Sequence, residues 1–282
     1  MLTVYAPAKV NLILEVLGKY DDNYHQISSI VQAVGLWDSL NFELADEISF
    51  TCSEPSLEAG NLVTEAAMLL KETTKYGKGY RIQLYKHIPW GVGLGGGSSD
   101  AATTLLALNE LWGIHLSRSG LLHLASRLGS DVPFFVYGGT ALVEGKGEKV
   151  TPLSTPHTTW FVLLAPPLPK IPRKTRQLYN RLGASHFTKG DFVQAALSSL
   201  MQGKTIEASL LFNVFDEINS DIFPQIDEYK SRFREAGAPG VSLSGCGSCL
   251  FTILYEEAEA TELCLCLQRQ GLECYVASSL LR

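Results

Sequence analysis

Five glycines lie within the seven residues 91–97, which read GVGLGGG. A strand pattern at residues 80–86 precedes this segment. A helix pattern rich in Ala and Leu follows it at residues 100–111, with Ser98 and Ser99 as a natural helix start. Glycines let successive backbone N–H groups converge on one ligand, and a helix start adds unpaired N–H groups and a partial positive charge. The segment therefore predicts an anion site, for which phosphate is the commonest occupant.

Two other structures can contain such a segment. The first is a flexible turn before a capped helix, although five glycines are costly in conformational entropy. The second is a dinucleotide-binding turn, because Gly91, Gly93 and Gly96 fit the pattern G-x-G-x-x-G. That turn requires a strand that ends in an acidic residue about 20 residues later, whereas the pattern there predicts a second helix. The sequence therefore favours a different kind of phosphate loop.

The composition limits the partners of such a site. The formal net charge is -6 over 282 residues, and no basic block provides the field that holds a nucleic-acid backbone. No run approaches the roughly 20 apolar residues that span a bilayer, and the first residues lack a signal-peptide pattern. The six cysteines are scattered, unlike those of a disulfide scaffold. We expect a cytoplasmic protein that binds neither nucleic acid nor membrane and holds anions with backbone amides and single lysines.

Periodic patterns predict strands and helices along the whole chain, in two parts. Strands are expected at residues 9–16, 27–34, 39–44, 48–52, 80–86, 140–144, 148–151, 160–165, 240–244, 249–255 and 272–277. Helices are expected from Asn61 to about residue 76, then at residues 100–111, from Ser117 to residue 128, and at residues 176–181, 192–201, 226–236 and 257–269. A linker at residues 152–156 would divide the chain into domains at residues 1–152 and 153–282.

Lys9 and Asp131 are the candidates for phosphoryl-transfer chemistry. Strand 9–16 alternates, so Lys9 and Asn11 point to one face and can form one wall of a substrate site. A carboxylate near an alcohol can take its proton, and a nearby lysine can stabilise the developing charge. Structural roles remain open at this point, since Asp131 can cap a short helix and Lys9 can be a solvated strand residue.

Two longer strings carry a family resemblance. Residues 89–102 (PWGVGLGGGSSDAA) resemble the central motif of the GHMP kinases, in which a phosphate loop leads into a helix. Residues 242–249 (SLSGCGSC) resemble the third motif of that superfamily, a tight turn between strands that packs near the phosphates. The resemblance implies an N-terminal ATP-binding domain of the ribosomal-protein-S5-domain-2-like type and a C-terminal ferredoxin-like α+β domain. It places the active site in the cleft between them.

The same resemblance implies ATP and Mg²⁺ as cofactors. The implied ATP-binding residues are Pro89, Gly91, Gly93, Leu94, Gly95, Gly96, Gly97, Ser98, Ser99, Gly245, Gly247 and Ser248. The metal ligands stay unassigned. Mg²⁺ is expected to be carried by ATP, with Ser98 as a candidate contact.

The segments around Lys9 and Asp131 narrow the resemblance. Residues 6–12 (APAKVNL) and 129–135 (GSDVPFF) are similar to the flanking motifs of the diphosphocytidyl-methylerythritol kinases. In that family the lysine matching Lys9 and the aspartate matching Asp131 are the proposed catalytic pair. The resemblance implies that Asp131 is a buried carboxylate beside the acceptor alcohol and that Asn11 contacts the substrate.

Residues 22–25 (DNYH) resemble the motif with which this family recognises cytosine. Asn23 replaces the usual glycine, and asparagine tolerates the left-handed backbone region better than most residues. The resemblance implies that Tyr24, His25 and Tyr179 bind the cytidine, although by themselves Tyr24 and His25 are also ordinary turn residues. The segment before Tyr179 is unusually basic, and an open alternative is that its cations contact the substrate diphosphate instead; they are Arg173, Lys174 and Arg176.

Cys246 and Cys249 form a C-x-x-C pattern, which also occurs in redox and metal sites. Cys264 and Cys266 do not complete a metal site, because side chains two residues apart on a helix point about 200° apart. We therefore interpret Cys246 as a small residue of the third motif that lines the nucleotide site.

The expected activity is ATP-dependent phosphorylation of the 2-hydroxyl of a cytidine diphosphate-linked methylerythritol by a monomer or weak homodimer. Three alternatives remain at this point. Another GHMP kinase would phosphorylate mevalonate-type or homoserine-type alcohols that lack cytidine. An oxidoreductase would bind NADH instead of ATP. A nucleotide sensor would keep the fold without turnover.

Overall fold

The computed structural model describes residues 1–155 and 157–281. The strands in this range are β1 (Leu2–Lys19), β2 (His25–Ala45), β3 (Ser49–Cys52), β4 (Gly79–Tyr85), β5 (Thr140–Gly145), β6 (Lys149–Leu153), β7 (Trp160–Leu164), β8 (Phe212–Asn213), β9 (Ser242–Leu243), β10 (Leu250–Leu254) and β11 (Cys274–Ser278). The α-helices are α1 (Leu62–Thr74), α2 (Gly96–Leu111), α3 (Arg118–Leu128), α4 (Val132–Tyr137), α5 (Lys174–Arg181), α6 (Asp191–Met201), α7 (Ile226–Glu235) and α8 (Glu257–Arg269).

These elements belong to two compact units that interleave along the chain. The first unit contains Met1–Ala8, Leu36–Trp90 and Gly95–Tyr137. The second unit contains Lys9–Gly35, Gly91–Leu94 and Gly138–Arg282. The strands β1 and β2 and the glycine loop therefore each contribute residues to both units. The predicted division at residue 152 splits the sequence once, whereas these units are defined by compactness in space. The division into domains at residue 152 therefore stays a prediction.

The first unit packs helices beside a small sheet. Strand β4 pairs antiparallel with the second half of β2, in the register Ser39 opposite Tyr85, and β3 pairs parallel with β4. Helices α1 and α2 pack on each other, and both bury small residues, among them Ala66 and Ala101. Small side chains on both helices let the two backbones approach closely.

The second unit contains the rest of β2 and a separate four-stranded sheet. Residues 27–32 of β2 pair antiparallel with β5, β5 pairs with β6, and β1 pairs parallel with β8. The other sheet has the order β11-β7-β10-β9. Its central strand β7 is a nearly continuous apolar run (WFVLL) whose last four residues are buried, as expected for a strand covered on both faces. Helix α8 packs against β7 and β11.

Several predicted boundaries are confirmed by cap geometry. The side chain of Asn61 accepts a hydrogen bond from Val63 N at 2.9 Å, and α1 follows it. Ser117 accepts one from Gly120 N at 3.3 Å before α3. Both residues act as predicted N-caps that satisfy a free N–H group of the first turn.

Other boundaries were wrong. Helix α2 begins at Gly96 rather than at the serines, because Gly95 adopts a left-handed conformation with φ 73° and serves as its N-cap. The predicted strands at residues 27–34 and 39–44 are one continuous strand, β2. The linker was placed too early, since Pro152 still pairs with Ala141 in the β5–β6 ladder. Its last position, Pro156, lies outside the described residues.

Among the described residues, no helix combines the length and the apolar composition needed to cross a membrane.

Asn213→Ala is expected to destabilise the protein by about 3 kcal/mol. The buried Asn213 side chain donates to the carbonyls of Leu243 and Gly245, each at 2.9 Å, and accepts from Phe215 N at 3.0 Å. The substitution leaves these buried groups unpaired, at a cost of roughly 1–3 kcal/mol for each orphaned group. Urea unfolding of the two proteins measures the loss. The exposed Asn180→Ala is the matched control, and a loss equal to that of the control would contradict this role.

Candidate functional site

The backbone of the glycine loop alternates between two conformations. Gly91, Gly93 and Gly95 have positive φ angles of 77°, 101° and 73°, whereas Val92 and Leu94 between them do not. Such alternation turns successive N–H groups toward one concave side and makes a nest for an anion. The loop therefore has the backbone shape that phosphate groups bind.

Four consecutive carbonyl oxygens of this loop accept hydrogen bonds within the second unit. The pairs are Gly91 O with Lys174 Nζ (2.8 Å), Val92 O with Cys249 N (2.9 Å), Gly93 O with Ser244 Oγ (3.0 Å) and Leu94 O with Lys9 N (2.9 Å). We call residues 244–249 the motif-three turn, and it supplies two of the four donors.

The held carbonyls decide where the N–H groups point. A peptide unit is planar and trans, so its carbonyl and its N–H group point in opposite directions. Fixing the oxygens of residues 91–94 therefore directs the N–H groups of residues 92–95 to the other side. Within residues 1–155 and 157–281, no protein acceptor receives a hydrogen bond from the backbone N–H groups of residues 91–97. These donors are available to a ligand.

The motif-three turn approaches the loop so closely that only glycine fits at two positions. A Cβ atom on Gly247 would overlap Val92 O and the backbone of Gly93. A Cβ atom on Gly93 would overlap Ser244 O. The two glycine-rich segments are thus in backbone contact, as the third-motif resemblance implies. Asn219 Nδ2 also donates a hydrogen bond to Gly247 O at 3.1 Å, which anchors the motif-three turn.

The start of α2, in the first unit, is suited to bind phosphate oxygens. Its first turn contains Gly96, Gly97 and the half-buried Ser98. Ser99 is fully buried, and its Oγ has no hydrogen-bond partner in the described part of the chain. A buried unpaired hydroxyl at a helix start fits a phosphate oxygen or a water of its metal. The described residues contain no group of three or more His, Cys, Asp or Glu that could hold a metal ion.

A buried ion triad lies beside Gly96. Lys86 Nζ forms ion pairs with Asp38 and, at 2.8 Å, with Asp100, and all three side chains are at most 4% exposed. Asp38 Oδ1 also accepts from His87 N at 2.6 Å and Ile88 N at 2.9 Å. A Cβ atom on Gly96 would lie 3.0 Å from Lys86 Nζ. The triad therefore supports the first residue of α2 directly.

Two carboxylates share one ammonium group in this triad, so one of them is disfavoured as an anion. Burial raises the pKa of Asp100 to about 7, and Lys86 and the neighbouring Asp38 act on the same pKa in opposite directions. The carboxylates raise the pKa of Lys86 in spite of its burial. Asp100 Oδ1 has no hydrogen-bond partner among the described residues.

Asp38, Lys86 and Asp100 are site residues that our sequence reasoning missed. The one available signal was Asp100, an acid inside an Ala-rich helix pattern.

Lys9 and Asn11 form the wall that the alternation of β1 predicts. Both are buried, and Lys9 Nζ donates to Asn11 Oδ1 at 2.5 Å. Asn11 Nδ2 donates to Ser29 Oγ at 2.9 Å, and Ser29 Oγ donates to Ile13 O at 2.6 Å. A Cβ atom on Gly245 would lie 3.1 Å from Lys9 Nζ. Lys9 is therefore a fixed cation at the edge of the motif-three turn and not a solvated strand residue.

Asp131 lies in the first unit, immediately before α4, and its side chain is exposed. The expectation that this carboxylate is buried was therefore wrong. The four residues that follow it, from Val132 to Phe135, are buried, which fixes the backbone on which Asp131 stands. Lys9 and Asp131, the two halves of the predicted catalytic pair, belong to different units.

His25 and Tyr179 lie together in the second unit. Their ring centroids are 5.0 Å apart, and Tyr179 also meets Phe215 edge-on at 4.9 Å. Burial, with Lys19 nearby, lowers the pKa of His25, so its imidazole is neutral at pH 7. Within the described residues its Nε2 atom has no hydrogen-bond partner. A neutral imidazole edge beside an aromatic face suits a planar, hydrogen-bonding ring.

The turn before His25 is held by Lys146 of the β5–β6 connection. Lys146 forms an ion pair with Asp22 and lies 4.8 Å from the ring centroid of Tyr24. Asn23 has φ 69°, which confirms that asparagine adopts the left-handed conformation here. Tyr24 itself is 59% exposed. The structure therefore fixes this turn while one face of Tyr24 stays open to a ligand.

Comparison with known proteins agrees with this arrangement. The model for the GHMP kinases N terminal domain matches residues 61–139, and the model for the GHMP kinases C terminal domain matches residues 193–272. A 4-diphosphocytidyl-2-C-methyl-D-erythritol kinase from Dehalococcoides mccartyi is 43% identical over 281 residues, with 99% of each chain covered. A protein of the same name from Shouchella clausii is 37% identical, covering 93% of this chain and 88% of its own.

Solved structures show the same relation. A crystal structure of 4-(cytidine 5'-diphospho)-2C-methyl-D-erythritol kinase superposes with a TM-score of 0.84 at 33% identity, covering 99% of both chains. A homoserine kinase from Cytophaga hutchinsonii has a TM-score of 0.76 at 21% identity, covering 99% of this chain and 94% of its own, which shows the shared fold alone. The fold and the glycine loop thus define this chain as a GHMP kinase. Within that superfamily, the chain belongs to the 4-diphosphocytidyl-2-C-methyl-D-erythritol kinase family.

Asp100→Asn is expected to flatten the pH dependence of stability. Because the pKa of Asp100 is raised on folding to about 7, the native state binds this proton more tightly than the unfolded chain does. The associated stability is complete below the unfolded pKa near 4 and is lost as the pH rises through about 7. Between pH 5 and pH 8 the parent should lose about 2 kcal/mol relative to the variant.

Urea unfolding at several pH values measures this difference. Glu110→Gln, which removes an exposed carboxylate from the same helix, is the matched control and should follow the parent. Parallel curves for the parent and Asp100→Asn would show that Asp100 does not titrate in this range.

Proposed function

We propose that this chain transfers the γ-phosphoryl group of ATP to the 2-hydroxyl of 4-diphosphocytidyl-2-C-methyl-D-erythritol, a step of the non-mevalonate route to isoprenoid precursors. The observation that carries the proposal is the glycine loop: the carbonyl oxygens of residues 91–94 are bonded to protein, while the N–H groups of residues 91–97 have no acceptor in the described part of the chain. The choice of substrate rests on the names of the similar proteins. Whether the chain acts as a monomer or a weak homodimer stays a prediction.

In the proposed complex the ATP phosphates bind along the glycine loop and the start of α2. The contacting residues are Pro89, Gly91, Gly93, Leu94, Gly95, Gly96, Gly97, Ser98 and Ser99, with Gly245, Gly247 and Ser248 from the motif-three turn. Backbone N–H groups and the α2 dipole hold the phosphate charge, so a chain with net charge -6 needs no basic surface. Mg²⁺ bound to the phosphates would supply further charge neutralisation. Ser98 is the candidate protein contact of this ion.

The proposed chemical step needs a base and a cation. Asp131 takes the proton of the 2-hydroxyl, the alcohol oxygen forms a bond to the γ-phosphorus, and the bond from that phosphorus to the β,γ-bridging oxygen breaks to release ADP. Lys9 stabilises the negative charge that develops. Its amino group is already fixed by Asn11 at 2.5 Å, so little reorganisation is required during the reaction. The exposure of Asp131 is compatible with accepting a proton from an incoming alcohol.

The cytidine end of the substrate is proposed to bind at the aromatic cluster. Tyr24 and Tyr179 would contact the two faces of the cytosine ring, and the unpaired edge of the neutral His25 would hydrogen-bond it. Buried and half-buried aromatic contacts of this kind contribute roughly 1 kcal/mol each beyond the area they bury. Asn11 would contact the methylerythritol portion next to Lys9.

Asp131→Asn is expected to lose most phosphoryl transfer, since the amide cannot accept the proton, while ATP affinity and thermal stability stay near those of the parent. Removal of a general base typically costs 10²–10⁴-fold in rate. A coupled ADP-release assay measures turnover, and equilibrium binding of a non-hydrolysable ATP analogue measures affinity. Turnover within about tenfold of the parent, some 1.4 kcal/mol, would remove Asp131 from this role.

Tyr179→Leu should raise KM for the cytidyl substrate about tenfold or more and leave KM for ATP unchanged, because only the cytosine loses its aromatic partner. Steady-state kinetics with each substrate varied in turn checks the split. The control is Tyr255→Leu, which changes a half-exposed tyrosine at the end of β10. The same assay with mevalonate and homoserine tests the substrate class, and equal activity on an alcohol without cytidine would refute the proposal.

A further inference from the structure

Lys174 is the first residue of helix α5, and its ammonium group donates to Gly91 O at 2.8 Å. Gly91 is the first glycine of the loop and has φ 77°. The other three held carbonyls receive their hydrogen bonds from backbone N–H groups or from a serine hydroxyl of the strands and the motif-three turn. The entry peptide of the loop is thus fixed by a long, charged side chain from a separate helix.

Packing is loose at Gly91 itself, whereas the next residue, Val92, is buried. Gly91 is exposed, and a Cβ atom added there would meet no atom within 4 Å. By contrast, Gly93 is confined by direct backbone contact with the motif-three turn. The hydrogen bond from Lys174 therefore holds the exposed side of this peptide: it orients the Gly91 carbonyl and with it the Val92 N–H group.

The surroundings of Lys174 disfavour the charged form of its side chain. Burial lowers the pKa of Lys174, and the titratable groups that face it are the thiols of Cys246 and Cys249. Burial raises the pKa of the Cys249 thiol far above its usual range, so this thiol is neutral. No ion pair in the described residues joins Lys174 to a carboxylate. Its ammonium lies 5.4 Å from the ring centroid of Phe223. A partly desolvated cation without a counter-ion is unfavourable unless an anion binds near it.

We propose that Lys174 is a positioning residue for the nucleotide: it holds the Gly91 carbonyl so that the Val92 N–H group faces the phosphates, and its charge favours that anion. The inference rests on the proposed function and deepens it, since it assigns a role in ATP binding to a lysine of the basic segment 173–176. The alternative from the sequence, a contact with the substrate diphosphate, predicts a different dependence on the two substrates.

The test compares Lys174→Met, which keeps the length of the side chain without its charge, with Lys174→Arg, which keeps the charge. Arg181→Met, at the other end of α5 and exposed, is the matched control. Calorimetric binding of a non-hydrolysable ATP analogue and, separately, of cytidine diphosphate is measured for each protein, together with thermal unfolding. Lys174→Met should weaken binding of the ATP analogue about tenfold, the cost of one charge-assisted hydrogen bond. Binding of cytidine diphosphate should change less than twofold, and Lys174→Arg should recover most of the loss.

Three outcomes would overturn the inference. Binding of the ATP analogue within twofold of the parent would show that Lys174 does not position the loop. Loss of cytidine diphosphate binding alone would assign Lys174 to the other substrate. Equal weakening of both ligands with a lower unfolding temperature would assign it to the stability of α5, which also carries Tyr179. Failure of the parent to phosphorylate the cytidyl alcohol while it still binds the ATP analogue would refute the proposed function and leave this test intact.

Discussion

The arrangement depends on the hydrogen bonds that hold the carbonyl oxygens of residues 91–94. A glycine-rich segment alone is a flexible chain, and its amides point in many directions. Here each peptide is pinned through its oxygen by Lys174, Cys249, Ser244 or Lys9, which leaves the N–H groups preorganised for an anion. Preorganised dipoles stabilise a bound charge without paying for reorientation at the moment of reaction. The proposed polyphosphate site therefore needs only one short loop and no basic surface, in a protein whose net charge is -6.

Strand β1 connects this loop to the rest of the second unit. One face of the strand carries Lys9 and Asn11 beside the motif-three turn. Four residues beyond Asn11 on the same face, the fully buried Glu15 accepts a hydrogen bond from Val193 N at 2.9 Å in the first turn of α6. A carboxylate at a helix start satisfies a free N–H group and favours the helix dipole. The strand that positions the proposed cation also anchors a helix. The register of β1 is therefore fixed at two places, Lys9 and Glu15.

The sequence predicted those parts that depend on local chemistry. The glycine loop, the caps at Asn61 and Ser117, and the left-handed Asn23 follow from the backbone preferences of single residues. The family followed from motif strings and not from periodicity. The ion triad of Asp38, Lys86 and Asp100 was missed, because its members are separated by up to 62 positions and meet only through tertiary packing. The bond from Lys174 to Gly91 O was missed for the same reason, and no pattern indicated that Asp131 would be exposed.

The interleaved order of the two units also affects how the chain is made. Residues 32–34 of β2 contact the residues that follow β11. Leu280 N donates to Ala33 O at 2.9 Å, and Gln32 Nε2 donates to Leu280 O at 3.1 Å. Val34 also forms a β-bridge with Ser279. Residues 27–32 of this strand pair with β5, but the pairing at Ala33 and Val34 is complete only when residues 279 and 280 have been synthesised. Contacts this distant in sequence slow folding and leave an exposed strand edge in the meantime. Closure of β2 at residues 33 and 34 is therefore a folding step that only a chain synthesised past residue 280 can take.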